Sequence, residues 1–189
     1  MRLFVSLVAT ALVAAACGGT AAAPSPTAAP TTAPTAPATP APTPTPQLKY
    51  TFVADLKSSN EVPAIANAEA SCAGKGTFTL NTTKDATGKI TAATAAFETD
   101  VSGCPAGTAI NIGHIHKAAA GVNGSVIVNS GLAAGELTLV NGAVKISKTQ
   151  PTVDPVVAAD IIANPAGFYM NWHSTLNPGG VIRGQLAPG

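Results

Sequence analysis

The sequence predicts an all-β domain, an antiparallel β-sandwich of Greek-key type with one short crossover helix. Three observations lead there. Short runs of alternating apolar and polar residues recur at regular spacing, each closed by Gly, Pro, Asn or Asp. Only residues 154–165 carry both a helix start and a helix stop signal, which argues against repeated strand-helix units. Asn141-Gly142, set between two short apolar runs, is the strongest hairpin signal in the chain and belongs to antiparallel pairing.

The N-terminal part has a different character. Residues 1–16 carry one positive charge, Arg2, then an apolar run over 3–13 and three alanines, the pattern of an export signal. The run is too short to span a bilayer comfortably. Leu12-Val13-Ala14-Ala15-Ala16-Cys17 resembles a bacterial lipobox, in which the cysteine is diacylated and becomes the mature N-terminus; Ala14 stands where such motifs usually have Leu. A plain secretory signal, leaving Cys17 a free thiol, is the alternative. Residues 17–47 comprise this cysteine and a tract almost wholly of Ala, Pro and Thr, which cannot bury a core and favours extended polyproline II. Such a linker could reach about 80 Å from a membrane surface. Residues 48–189 form the folded domain, long enough for one core.

Within that domain the strands are expected in order. Residues 49–56 alternate, with Tyr50, Phe52, Ala54 and Leu56 on one face, and residues 74–81 repeat the pattern with Phe78 and Leu80 inward. Asp85-Ala86-Thr87-Gly88 is a turn, and residues 89–101 form a long Thr/Ala-rich strand. Strands at 109–117 and 125–129 follow, then 136–140 and 143–147 flanking Asn141-Gly142. Asp154 caps a helix over 156–163, with Pro155 at its first position and Asn164-Pro165 stopping it. Strands at 167–174 and 180–186 close the domain.

Charge and cysteine content narrow the function classes. The formal net charge is +1 with no basic run, which argues against nucleic acid as a partner. Cys72 and Cys104 are an even pair in an exported domain and read as a disulfide contributing about 3 to 4 kcal/mol in the chain-entropy model. Metal ligation by the pair is the alternative, though no CxxC spacing supports it.

The candidate site rests on the three histidines of the chain. His114 and His116 lie two apart on a strand and so share a face, while His173 lies on another strand that shares a face with Tyr169 and Asn171. On one reading His173 meets the first pair from a facing strand, making a three-nitrogen site for copper or zinc with an open position. On the other, the histidines join Asn171, Arg183 and Gln185 in a hydrogen-bonded polar cluster that sets strand register. Ile110 and Ile112, of the same parity as the histidines, favour this second reading. Arg183 reads as an anion contact or as a donor to loop carbonyls. Glu61 reads as a general base without a second carboxylate, or as a turn cap or partner of Arg183.

Asn60-Glu61-Val62-Pro63, His114-Ile115-His116 with Gly121-Val122-Asn123-Gly124, Tyr169-Met170-Asn171-Trp172-His173, and Asn177-Pro178-Gly179-Gly180-Val181-Ile182-Arg183-Gly184-Gln185-Leu186 resemble, in order and spacing, the CHRD domain. The resemblance covers residues 48–186 and implies an all-β domain outside the cytoplasm, of poorly defined molecular function. The His-X-His strand and the later His followed by Gly-Gly are also similar to the copper-site arrangement of Cu/Zn superoxide dismutases. With three histidines in all, the bridged two-metal centre of that enzyme cannot be built.

The expectation is therefore a cell-surface or periplasmic lipoprotein, tethered to the membrane by its lipid. Its domain would bind an extracellular protein or polysaccharide and carry a mononuclear metal. A copper-dependent redox enzyme acting on an oxygen species and a metal-free adhesion domain are the alternatives.

Overall fold

The computed structural model of the chain describes residues 47–189. The export signal, Cys17 and the linker up to residue 46 lie outside the described residues. Nine strands and one helix follow in order: β1 (Gln47–Lys57), β2 (Ala73–Lys84), β3 (Ile90–Ser102), β4 (Ala109–Lys117), β5 (Ser125–Asn129), β6 (Leu137–Thr138), β7 (Val144–Val153), α1 (Pro155–Ala163), β8 (Phe168–Ser174) and β9 (Ile182–Pro188).

The antiparallel all-β class holds, but the two layers are halves of one sheet. Strands run β5-β4-β8-β9-β1-β2-β3-β7, with β6 beside β4. The sheet curls until β8 packs against β3. Trp172 donates through Nε1 to Thr99 Oγ1 at 3.1 Å, and its ring meets Phe97 edge-on at 6.4 Å. Phe78, Leu80, Leu56, Ile115 and Met170 fill the space between, all fully buried. Burying each such side chain contributes roughly 1.5 to 3 kcal/mol, which is what holds the curled sheet shut.

The hairpin expected at Asn141-Gly142 does not form. β6 pairs with β4 and β7 with β3, so the turn carries the chain between different parts of the sheet. Gly142 is needed there for another reason: its φ is +71, and a Cβ would lie 2.0 Å from the Cys104 carbonyl oxygen. β7 also runs past the expected end at residue 147, through Pro151, to Val153. As an edge strand it tolerates a residue with no N–H to donate. The helix begins as expected, with the Asp154 side chain accepting from the Val156 N–H at 2.7 Å. Cys72 and Cys104 form the expected disulfide, joining the end of the 61–72 loop to the segment after β3.

Candidate metal centre

β4, β8 and β9 lie side by side, and their register assembles a polar patch on the face turned away from Trp172. His114 pairs with Asn171 and Asn171 with Arg183; His116 pairs with Tyr169 and Tyr169 with Gln185. Alternation puts all of these side chains on one face. His173, opposite Ile112, completes it. His173 thus reaches the other two from the adjacent strand of the same sheet, not from a facing one.

A bulge at Asn111 changes the parity argument. Two β4 residues there oppose one β8 step, so Ile110 pairs with Ser174 and Ile112 with His173. Ile110 consequently enters the apolar core. Only Ile112 keeps the histidine parity, and the support that Ile110 lent to a purely structural cluster is lost.

The three imidazoles converge. His114 Nδ1 and His173 Nε2 are 3.2 Å apart, and one nitrogen from each ring lies within 4.8 Å of the others. No donor of such a triangle is farther than about 2.8 Å from a common centre, so closing on an ion with bonds of about 2.0 to 2.1 Å requires shifts below about 1 Å. The 3.2 Å separation is itself close to the roughly 3.3 Å edge of a tetrahedral site with such bonds.

Loop carbonyls orient two of the rings. His116 Nδ1 donates to Gly124 O at 3.0 Å, and His173 Nδ1 donates to Pro178 O at 2.9 Å. Each bond places the proton on Nδ1 and leaves Nε2 a lone pair, the arrangement by which backbone carbonyls orient metal-binding histidines. His116 Nε2 is buried with no partner among the described residues. Burial, then the neighbouring imidazoles, lowers His114 to about 4. Burial lowers His116 and His173 too. Neutral rings at neutral pH are the form that binds metal.

The supporting residues divide. Tyr169 stacks on His116 at 4.8 Å between ring centres and carries the Arg183 guanidinium 3.8 Å over its ring. Arg183 donates from Nη1 to Asn123 Oδ1 at 2.9 Å and from Nη2 to Val122 O at 2.8 Å. It is therefore the donor to loop carbonyls foreseen from the sequence, and it holds down the loop whose Gly124 orients His116. Gln185 donates to Ala118 O and Ala166 O. Glu61 does not pair with Arg183, because the guanidinium is turned to residues 122 and 123. Its Oε1, like Asn171 Oδ1, is buried without a partner among the described residues. Burial raises Glu61 to about 7, against the pull of Arg183 and a hydrogen bond from Asn171. Gly180, at φ +133, leaves room for both: a Cβ there would lie 2.6 to 2.8 Å from Asn171 Nδ2 and the Glu61 oxygens.

Sequence reasoning missed the two loops. Residues 121–124 and 177–180 read as breaks in the strands, yet they supply the orienting carbonyls. It also missed buried Glu69, which accepts from Ser174 Oγ and Asn177 Nδ2, both at 2.5 Å, and so anchors the 177–180 turn.

A protein-family model, that of the CHRD domain, matches residues 52–186. Comparison with curated proteins and with solved structures finds no match.

Proposed function

The chain belongs to the CHRD-domain family, and from that premise we propose that it is an exported, lipid-tethered binding module whose domain holds one copper or zinc ion on His114, His116 and His173. The observation that carries the metal is the bare Nε2 of His116, buried without a partner among the described residues in a ring whose other nitrogen is engaged. A buried acceptor left unsatisfied costs about 1 to 3 kcal/mol, and an ion shared with the two nearby imidazoles would remove that cost. Three nitrogen donors without thiolate or carboxylate suit either ion and leave a position for water or ligand. Export is supported by the N-terminal pattern and by the disulfide. A lipid on Cys17 would place the domain at the cell surface or facing the periplasm, where it would meet an extracellular protein or polysaccharide.

A second reading has its own observation. His114 and His173 at 3.2 Å also satisfy a direct N–H···N hydrogen bond, as a metal-free polar cluster requires. Elemental analysis after dialysis, with titration by Cu(II) and Zn(II), separates the two. The metal reading expects one equivalent bound and lost in His114→Ala/His116→Ala. Equal binding by wild type and variant leaves the polar cluster.

A further inference from the structure

Among the described residues three buried side-chain atoms have no partner: Glu61 Oε1, His116 Nε2 and Asn171 Oδ1. All three belong to the histidine patch, and each offers a lone pair. The metal reading of the histidines accounts for His116 Nε2 and leaves Asn171 Oδ1 over. Resting on that reading, we infer that Asn171 Oδ1 accepts a hydrogen bond from the ligand in the ion's fourth position, so that the site takes water or another small O–H or N–H donor and disfavours proton-free anions.

The register places Asn171 among the three rings. It pairs directly with His114 across β4 and β8, lies two residues from His173 on the same face, and is the diagonal neighbour of His116, whose own partner is Tyr169. Its amide is held from one side. Asn171 donates to the Glu61 carboxylate, and a Cβ on Gly180 would meet Asn171 Nδ2 at 2.6 Å and the two Glu61 oxygens at 2.7 and 2.8 Å, so these groups share one spot. With Nδ2 committed there, the planar amide turns its oxygen away from Glu61, back toward the histidines. Arg183, the partner of Asn171 on β9, directs both terminal nitrogens to Asn123 and Val122. It leaves Oδ1 bare.

Copper and zinc favour imidazole, and an amide oxygen is a poor fourth ligand beside three of them. Water in the open position fits better. Bound through its oxygen, it keeps O–H donors that the ion makes more acidic, and one of them meets Oδ1. Azide brings only lone pairs and would leave a buried acceptor facing an anion. The three rings and Asn171 are all buried, which restricts the ligand to a few atoms.

The copper(II)-loaded full chain tests this. ENDOR in oxygen-isotope-labelled water reads whether a water oxygen sits on the ion, and azide titration, followed by the azide-to-copper charge-transfer band, reads how the fourth position treats an anion. The expected result is a water oxygen on copper in the wild type, with azide bound about tenfold more tightly by Asn171→Leu. Asn171→Asp keeps an acceptor at the same point and should bind azide no more tightly than the wild type, which separates the acceptor from the space the side chain fills. Copper bound without a water oxygen, equal azide affinity in wild type and Asn171→Leu, or tighter azide binding in both variants would overturn the inference and leave the metal centre standing. No copper bound at all would end both readings. The labelled-water measurement on the wild type stands even if the variants do not fold.

Discussion

The Nδ1–H of His116 donates to the carbonyl oxygen of Gly124 at 3.0 Å, so a loop eight residues downstream decides which nitrogen of the ring carries a lone pair. Arg183 reaches the same loop from β9 through Asn123 and Val122, and the Gly124 N–H donates to Tyr169 Oη at 3.2 Å. Three strands thus converge on three residues of loop to hold one imidazole.

Gly124→Ala should therefore weaken metal binding without touching a ligand. A Cβ at this position would lie 2.2 Å from the Lys117 carbonyl oxygen, so the loop must move and the Gly124 carbonyl with it. Loss of such an orienting partner typically lowers metal affinity by about 10 to 100-fold. Competitive titration against a chromophoric chelator measures it. Unchanged affinity in a folded Gly124→Ala protein would mean that the carbonyl does not position His116.

Acidification should destabilise the metal-free domain through the histidines. Their ordinary value is 6.5, and in the fold His114 sits at about 4 with His116 and His173 also lowered. The unfolded chain then binds protons below about pH 6.5 that the folded chain does not, so this stability is complete above that pH and declines as pH falls toward 4. Glu61 acts in the opposite sense. Raised from 4.5 to about 7 by burial, it favours the fold fully below pH 4.5 and loses that contribution as pH rises through 7. Glu61→Gln should accordingly raise stability at pH 8 by about 2 kcal/mol, allowing for solvent screening, and change little at pH 4. Thermal unfolding at the two pH values checks the sign, and an equal gain at both would rule out the carboxylate charge as the cause.

Much of this arrangement was readable in the residues. β4 and β5 begin and end where alternation and the flanking glycines place them, and the two-residue spacing of His114 and His116 is enough to point both rings one way. The convergence of His173 also held, although across adjacent strands. What could not be read depends on partners distant in sequence. A bulge at Asn111 adds one residue to one strand without any compositional mark, yet it sends Ile110 inward. Asn141-Gly142 specifies a turn but not which strands the flanking segments will join. The carbonyls of Gly124 and Pro178 are backbone groups that every residue carries, so nothing in the sequence marks them as the partners that orient histidines.

Behind the histidines, Gly113 and Trp172 are direct cross-strand partners, and the indole occupies the space a side chain at 113 would need. A Cβ on Gly113 would lie 2.2 Å from Trp172 Cε3. The indole cannot withdraw, being fully buried, bonded to Thr99 and packed on Phe97. Gly113→Ala should thus cost about 3 kcal/mol, the upper range for overpacking a filled core. Because Gly113 lies between Ile112 and His114, the same strain would loosen the metal centre. Gly121→Ala is the comparison: φ there is +77 with nothing near the added carbon, so only the left-handed backbone is penalised, by about 1 to 2 kcal/mol. Urea unfolding should rank Gly113→Ala as the more damaging, and Gly113→Ala/Trp172→Leu should recover part of the loss by clearing the overlap while forfeiting the bond to Thr99. If Gly121→Ala instead proved the costlier, the Gly113–Trp172 contact would not be what holds β4 against β8.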